Sequence, residues 1–302
     1  MVIRRYCFSF SVEKALCFQY NEDVCGNIGG HVMIKEFHHE AYPDAARLLE
    51  KDFASFNLLA RILHYPLDTI LTDDKSFILT FSSPVYPVWV WTDENLSDET
   101  CLFLWNTLKE RYPIEAGNRY NIKKTLSSRF LPLARSEGIP ASEQLQLLAY
   151  ECTRVNPHSK AIPGELCRCV SNDIDLLADW LTDFHDELGT DQSDREGYLA
   201  EIRERMEDGA FFFWKVKGLP VSMCSYANGD GYRTVSHVYT PPIFRRNHYA
   251  ESLVTSVTEE ILSEGWRALL YTDGGYPASN SCYQKIGYRL EGSLVSFGLS
   301  IS

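Results

Sequence analysis

Apolar residues in the first half of the chain fall into stretches of helical spacing separated by short, strand-like runs. Between residues 41 and 63, for example, apolar side chains recur every three or four positions, which predicts a helix. Pro87 indicates an edge or a bulge in one of the strands, and Ser97 is a candidate cap for the helix that follows. The pattern predicts a helix, two strands, two helices and a strand at residues 41–63, 76–81, 85–91, 102–108, 118–133 and 144–151.

The second half of the chain has a more regular alternation. Ser171 to Asp173 can cap the first of its helices, Pro241 and Pro242 stop a strand, and Gly265 ends a helix. The order of the predicted elements is β-α-α-β-β-β-α-β-α-β, which indicates an α/β layer fold. They lie at residues 166–170, 174–184, 195–207, 210–216, 221–227, 233–240, 249–263, 268–271, 279–286 and 288–297.

A polar stretch with two prolines and a glycine, residues 154–164, is the best linker between the two halves. We therefore predict one domain over residues 33–165 and a second over 166–302. Residues 1–32 have no clear periodicity and end in a glycine-rich segment, and Met33 then opens a segment typical of a protein start. Our hypothesis is that 1–32 is an extension ahead of the authentic initiator, and the alternative is an ordinary variable arm.

Composition narrows the class of protein. The 302 residues include 45% hydrophobic and 23% charged residues, as in soluble globular proteins, and the formal charge is −12. Because nonspecific nucleic-acid binding depends on neutralising phosphates, this charge disfavours a nucleic-acid partner. No apolar run approaches the roughly 18 residues that a membrane helix needs, so we expect no membrane partner. The nine cysteines are scattered, which favours reduced thiols in the cytoplasm.

Residues 238–250 carry the clearest chemical signal. A strand ends at Pro241, a loop with Arg245 and Arg246 follows, and a helix starts near Tyr249. The first turn of a helix has unpaired amides and the positive end of the dipole, so this unit is suited to a phosphate or pyrophosphate. From these residues alone, an ordinary strand-to-helix turn with two solvated arginines is at least as good an interpretation.

Two segments resemble the GNAT superfamily of N-acetyltransferases. Arg245 and Ala250 fit the ends of its cofactor pattern Q/R-x-x-G-x-G/A, and Tyr283-Gln-Lys-Ile-Gly-Tyr288 is similar to its Tyr-x-x-x-Gly-Phe/Tyr block. The resemblance covers about residue 166 to the C-terminus and implies an α/β (α+β) fold with a mixed, mostly antiparallel sheet flanked by helices. More faintly, residues 33–165 resemble a degenerate copy of the same fold, a smaller related α/β domain without a phosphate loop.

The resemblance also implies roles for individual residues. The backbone of Val238, Tyr239 and Thr240 would bind the pantetheine arm of acetyl-CoA. The loop from Arg245 through Arg246, Asn247, His248 and Tyr249 to Ala250 would hold the pyrophosphate. Asn280 lies beside a position that contacts coenzyme A, and Tyr283 would protonate the leaving thiolate. The central glycine of the family pattern is His248 here, either a direct phosphate contact or a loop histidine of no consequence.

The general base is not marked by any motif. His237 is our candidate because it lies on the strand that supplies active-site groups in this superfamily and because imidazoles exchange protons near neutral pH. A structural histidine is the alternative. Weaker candidates are Tyr239, Asp230, Asp273 and Glu251. In the first domain, Tyr86, Trp89 and Trp91 either line an acceptor pocket or belong to a half-buried strand.

The resemblance thus predicts a cytoplasmic, bacterial N-acetyltransferase that uses acetyl-CoA without a metal and acts on a small-molecule or peptide amine. A homodimer is left open. A catalytically inactive GNAT-like module that binds acyl-CoA or a protein partner is the first alternative. A nucleotide- or phosphosugar-binding protein that uses the same arginine loop is the second.

Overall fold

The computed structural model describes residues 23–28, 32–84, 86–157, 162–188, 193–207 and 210–300. Most of the predicted extension, Val85 and part of the predicted linker lie outside these residues. The chain forms two compact units. The N-terminal unit extends to Ala149 and includes Asp273–Gly275 and the segment that starts at Glu291, whereas the C-terminal unit comprises Tyr150–Thr272 and Tyr276–Leu290. The boundary predicted at residue 165 therefore falls inside the second unit.

In the described part of the chain, seven strands and three helices precede the predicted boundary. The strands are β1 (Asp23–Ile28), β2 (Val32–Phe37), β3 (Thr69–Thr72), β4 (Phe77–Phe81), β5 (Val88–Thr92), β6 (Tyr120–Lys123) and β7 (Ala141–Cys152). The helices are α1 (Phe53–Ile62), α2 (Asp98–Arg111) and α3 (Lys124–Ser136), and a 3-10 helix, Pro43–Asp52, precedes α1.

Six strands and four helices follow the boundary. The strands are β8 (Glu165–Arg168), β9 (Phe211–Val216), β10 (Leu219–Asn228), β11 (Tyr232–Tyr239), β12 (Arg267–Asp273) and β13 (Arg289–Leu299). The helices are α4 (Ile174–Leu188), α5 (Arg195–Glu207), α6 (Tyr249–Ser263) and α7 (Pro277–Ile286).

In the N-terminal unit the strand order is β1-β2-β3-β4-β5-β6-β13-β7. From β1 to β13 in this order, the neighbours are antiparallel except for β5 and β6, which are parallel. The last strand of the chain enters this unit because its apolar residues complete the core. Phe297 is fully buried, with its ring centroid 6.1 Å from that of Tyr120, 6.2 Å from Phe130 and 6.5 Å from Trp105.

In the C-terminal unit the strands follow the order β12-β11-β10-β9-β8. Only β11 and β12 among them are parallel. Helices α4 and α5 bury Leu177, Leu181 and Ile202 against Phe211 and Phe213 of β9. Helix α6 packs against β9, β10 and β11. Its side chains Leu253, Val254 and Val257 are fully buried, as the helical spacing predicts.

The two halves of the chain repeat one order of elements. From β2 to β7 the order is a strand, two helices, three strands, a helix, a strand, a helix and a strand, and β8 to β13 follow the same order. In the first copy a 3-10 helix stands in the place of the first helix. The predicted fold class, helices with a mixed and mostly antiparallel sheet, is confirmed.

Four strands of the N-terminal unit differ from the sequence prediction. β1, β2 and β3 were not predicted, and β6 occupies the start of residues 118–133, a segment predicted to contain a helix. Tyr120, Asn121 and Ile122 are all buried in β6. Since a strand buried on both faces has no alternation of apolar and polar residues, periodicity does not reveal it.

Candidate functional site

The parallel strands β11 and β12 separate before they end. Their pairing runs only from Tyr232 and Arg267 to Val235 and Leu270. On the other side of β11, the register with β10 shifts by one residue between Met223 and Ser225. This shift is a β-bulge, and such bulges bend a strand and re-aim its residues. The pairing of β11 with β12 therefore ends before the carboxyl ends of the two strands, and we call this unpaired end the strand opening.

His237 forms the bulge, with a left-handed φ of 49°. Its side chain is 0% exposed, and its Nδ1 lies 2.8 Å from Oγ of Ser225. No described residue forms a hydrogen bond with its Nε2, and Oε1 of Glu201 lies 3.8 Å away. Burial, together with the charge of Arg205, lowers the pKa of His237 well below its ordinary value. If His237 is the general base, as predicted, a proton must reach its imidazole, which has no exposed surface.

The buried imidazole makes stability depend on pH. The unfolded chain binds a proton at residue 237 near pH 6.5, whereas the lowered pKa of folded His237 keeps the imidazole neutral. Unfolding therefore takes up a proton as the pH falls below about 6.5, and this residue should lower the free energy of unfolding by up to about 1.4 kcal/mol per pH unit. The measurement is denaturant unfolding between pH 5 and 8.

The matched variant is His237→Asn, because asparagine tolerates a left-handed φ and does not titrate. It should show a smaller pH slope than the wild type. His39→Asn is the control, since His39 also has a positive φ but its side chain is 74% exposed. Equal slopes for the wild type and His237→Asn would show that His237 is not kept neutral by folding.

The loop after β11 holds a fixed, strained shape. The side-chain amide of Asn247 donates to the carbonyls of Phe244 and Arg245, both at 3.0 Å. Arg246 and His248 have left-handed φ values of 64° and 61°. The family pattern has glycine at position 248, and the left-handed backbone gives the reason. Histidine there costs about 1–2 kcal/mol relative to a right-handed conformation.

Helix α6 starts without a side-chain cap. His248 is its N-cap residue, but no side chain accepts a hydrogen bond from the first turn. The imidazole of His248 is 59% exposed, and its Nδ1 lies 3.0 Å from Oε2 of Glu251. The amides of Tyr249 and Ala250 belong to the turn that has no intrahelical acceptors. This helix start is therefore suited to an external anion.

The two loop arginines differ in their partners. Nε of Arg245 donates to the carbonyl of Thr240 at 2.8 Å, and its guanidinium forms an ion pair with Glu187 of α4. That hydrogen-bonded ion pair raises the pKa of Arg245. Arg246 is exposed and forms no ion pair with the described residues. Arg246 is thus the cation available to a ligand, whereas Arg245 fixes the loop to α4.

The corresponding helix start in the N-terminal unit is closed to anions. Helix α2 occupies the same place in the repeated order, and Oγ of its N-cap Ser97 accepts from the amide of Thr100 at 3.0 Å. Asp98 and Glu99 lie in its first turn. A capped, acidic helix start disfavours a phosphate by charge and by hydrogen bonding.

Tyr283 is placed by the end of helix α7. The helix ends at Gly287, whose φ is 123° and where a Cβ would lie 2.4 Å from the carbonyl oxygen of Arg154. This close approach explains the glycine of the second motif. The half-buried ring of Tyr283 lies 6.1 Å from that of Tyr288, and the hydroxyl of buried Tyr288 is 2.8 Å from Oγ1 of Thr258.

The other predicted residues have local partners. Asn280 is buried, and its side chain donates to the carbonyl of Tyr276 at 3.0 Å. Burial, followed by the charges of Asp183 and Glu187, raises the pKa of Tyr239. Asp273 accepts from the amide of Gly275 at 2.7 Å, and Asp230 is exposed in a turn.

The strand aromatics of the N-terminal unit are core residues. Trp89 and Trp91 are 3% and 2% exposed, and Nε1 of Trp91 donates to Oδ2 of Asp52 at 2.8 Å. Lys123 pairs with the same carboxylate and lies 5.6 Å from the Trp91 ring. Among the two interpretations of these tryptophans, the buried strand is the one that the structure supports.

Sequence reasoning missed Glu187 and Glu201. Both lie on helices, and each meets its partner through a contact that is distant in sequence. No local pattern marks such a pair.

No group of three His, Cys, Asp or Glu side chains in the described part of the chain is arranged to hold a metal ion. None of the described helices is long and apolar enough to cross a membrane.

Comparison with known proteins shows a likeness in one segment of the sequence and in the fold. The FR47-like protein family matches residues 218–294, which include the bulge, the arginine loop and Tyr283. A GCN5-related N-acetyltransferase from Sphaerobacter thermophilus has a similar structure, with a TM-score of 0.65 and 12% identity over 88% of this chain and 98% of that one. The chain therefore has a fold similar to that of GNAT acetyltransferases.

Two further structures of GNAT proteins are similar to most of this chain. An acetyltransferase of the GNAT family from Colwellia psychrerythraea has a TM-score of 0.57 and 11% identity, covering 88% of this chain and 99% of that one. A GCN5-related N-acetyltransferase from Kribbella flavida has a TM-score of 0.54 and 16% identity, covering 85% and 96%. No curated protein matches the sequence. The likeness is thus one of fold.

Proposed function

We propose that this GNAT protein transfers an acetyl group from acetyl-CoA to a primary amine. The observation that carries the proposal is the uncapped start of α6, which follows the strand opening directly and has Arg246 beside it. A diphosphate at this helix start would receive amide hydrogen bonds, the helix dipole and one cation. From there the pantetheine arm would run along Val238, Tyr239 and Thr240 into the opening between β11 and β12.

The reaction we infer is a direct transfer. The neutral amine attacks the thioester carbonyl carbon, and the carbonyl oxygen becomes an oxyanion. The bulge at His237 re-aims the amide of Val238, which is the donor we assign to that oxyanion. Collapse of the tetrahedral intermediate breaks the carbon–sulfur bond, and Tyr283 gives its proton to the departing thiolate. The amine's own proton leaves to solvent, because the imidazole of His237 is enclosed.

The experiment is a turnover assay with acetyl-CoA and a panel of small amines and lysine peptides, read out as release of free coenzyme A thiol. We expect acetyl-CoA to bind and at least one amine class to be acetylated. The acetylated amine should be confirmed by mass, since slow hydrolysis of the thioester also releases thiol.

An inactive acyl-CoA-binding module is the second candidate. The enclosed imidazole of His237 and the histidine at position 248 favour it, because they leave no marked base and alter the phosphate turn. Saturable binding of acetyl-CoA without turnover of any amine would support this module over the enzyme. Binding of ATP or a sugar phosphate in place of coenzyme A would contradict both.

A further inference from the structure

The residue at the family's glycine position brings a titratable group to the phosphate turn. Nδ1 of His248 lies 3.0 Å from Oε2 of Glu251, which pins the ring against the first turn of α6. A carboxylate only accepts hydrogen bonds, so Nδ1 carries a proton. The other nitrogen, Nε2, therefore has a bare lone pair when the ring is neutral and becomes an N–H donor only when the ring is protonated.

The charges around His248 are mixed, because a carboxylate offsets part of the positive charge that favours an anion at this helix start. Glu251 places a carboxylate inside the helix start. The loop supplies Arg246, whereas Arg245 is already paired with Glu187 of α4. In α7, burial followed by the charge of Glu251 raises the pKa of Cys282 to about 11, so the thiol is neutral. A diphosphate that enters this turn therefore meets a like charge at Glu251.

We propose that binding of the coenzyme A diphosphate is linked to the uptake of a proton from solvent by Nε2 of His248. This inference rests on the proposed function and adds a pH control to its cofactor site. In the bound state the imidazolium offsets the carboxylate of Glu251 and adds positive charge beside the diphosphate. A neutral ring does neither, so the bound state binds more protons than the free state and affinity rises as the pH falls.

This linkage is a property of the histidine and not of the fold. Glycine at the same position would give the left-handed backbone without strain, but it would have no group to protonate. His248 therefore costs some backbone stability, and it makes the affinity for the cofactor depend on pH.

The test is calorimetric titration of 3′-dephospho-coenzyme A at pH 7 in two buffers with different ionisation enthalpies. This probe lacks the terminal phosphate, whose second ionisation near pH 6 would itself exchange protons. We expect the wild type to take up protons when it binds the probe, and its affinity to be higher at pH 6 than at pH 8.

His248→Asn is the decisive variant, because asparagine tolerates the left-handed backbone without titrating. It should bind the probe with no proton uptake and with little pH dependence. Glu251→Gln removes the carboxylate and should reduce the uptake. His39→Asn, which changes an exposed histidine of positive φ in the N-terminal unit, should behave as the wild type.

Equal proton uptake by the wild type and His248→Asn would overturn the inference while leaving coenzyme A binding intact. Absence of binding by the wild type and by every variant would instead overturn the proposed function, and this inference with it.

Discussion

Replacing Tyr283 by phenylalanine should lower kcat by at least about 100-fold, with little change in the affinity for acetyl-CoA. A general acid contributes roughly 10²–10⁴-fold to a proton-transfer step. A thiolate with a pKa of about 8.5 is a poor leaving group without a donor, and a tyrosine hydroxyl has a pKa close enough to supply the proton. Phenylalanine keeps the ring packing against Tyr288 and removes only the hydroxyl.

The measurement is steady-state turnover with the best amine of the panel, together with calorimetric binding of acetyl-CoA. Tyr65→Phe is the matched control, since Tyr65 is 42% exposed in the N-terminal unit and should keep full activity. If Tyr283→Phe kept more than a third of the wild-type kcat, another group would have to protonate the thiolate. A loss of folding would show as a lower melting temperature and would not count as support.

Reversing the charge of Arg246 should weaken acetyl-CoA binding by about 100-fold or more. A hydrogen bond to a charged group contributes about 1.5–3 kcal/mol, and Arg246→Glu removes one such group and adds a repulsive carboxylate. The fold should be unaffected, because Arg246 is exposed and pairs with no acidic side chain of the described residues.

Arg203→Glu is the control for this reversal. Arg203 is exposed on α5 of the same unit, so the substitution changes the net charge equally without touching the loop. Calorimetry at two salt concentrations should show unchanged affinity for Arg203→Glu and a large loss for Arg246→Glu. Equal and small losses of acetyl-CoA affinity in both variants would show that the effect comes from overall charge and that the loop does not bind the diphosphate.

Local patterns in the sequence were enough to predict the loop between β11 and α6. The strand stop at Pro241, the two arginines and the start of α6 are all neighbours in sequence, so composition and spacing place them together. The left-handed backbone at His248 was predictable in the same way, because the family pattern has glycine there.

Long-range contacts account for what the sequence did not show. The pairing of Arg245 with Glu187 and the burial of His237 beside Glu201 depend on how α4 and α5 pack on the sheet. Likewise, β13 carries an ordinary strand pattern, but nothing in that pattern says that Phe297 completes the core of the N-terminal unit. The spacing of apolar residues shows which face of a strand is buried, but it does not show which strand lies next to it.

The central claim is that the diphosphate of acetyl-CoA binds at the start of α6. A crystal structure of the protein with acetyl-CoA tests this most directly. The account predicts diphosphate oxygens within about 3 Å of the amide nitrogens of Tyr249 and Ala250, and a pantetheine arm along Val238 to Thr240. A diphosphate bound anywhere else, including the N-terminal unit, would contradict it.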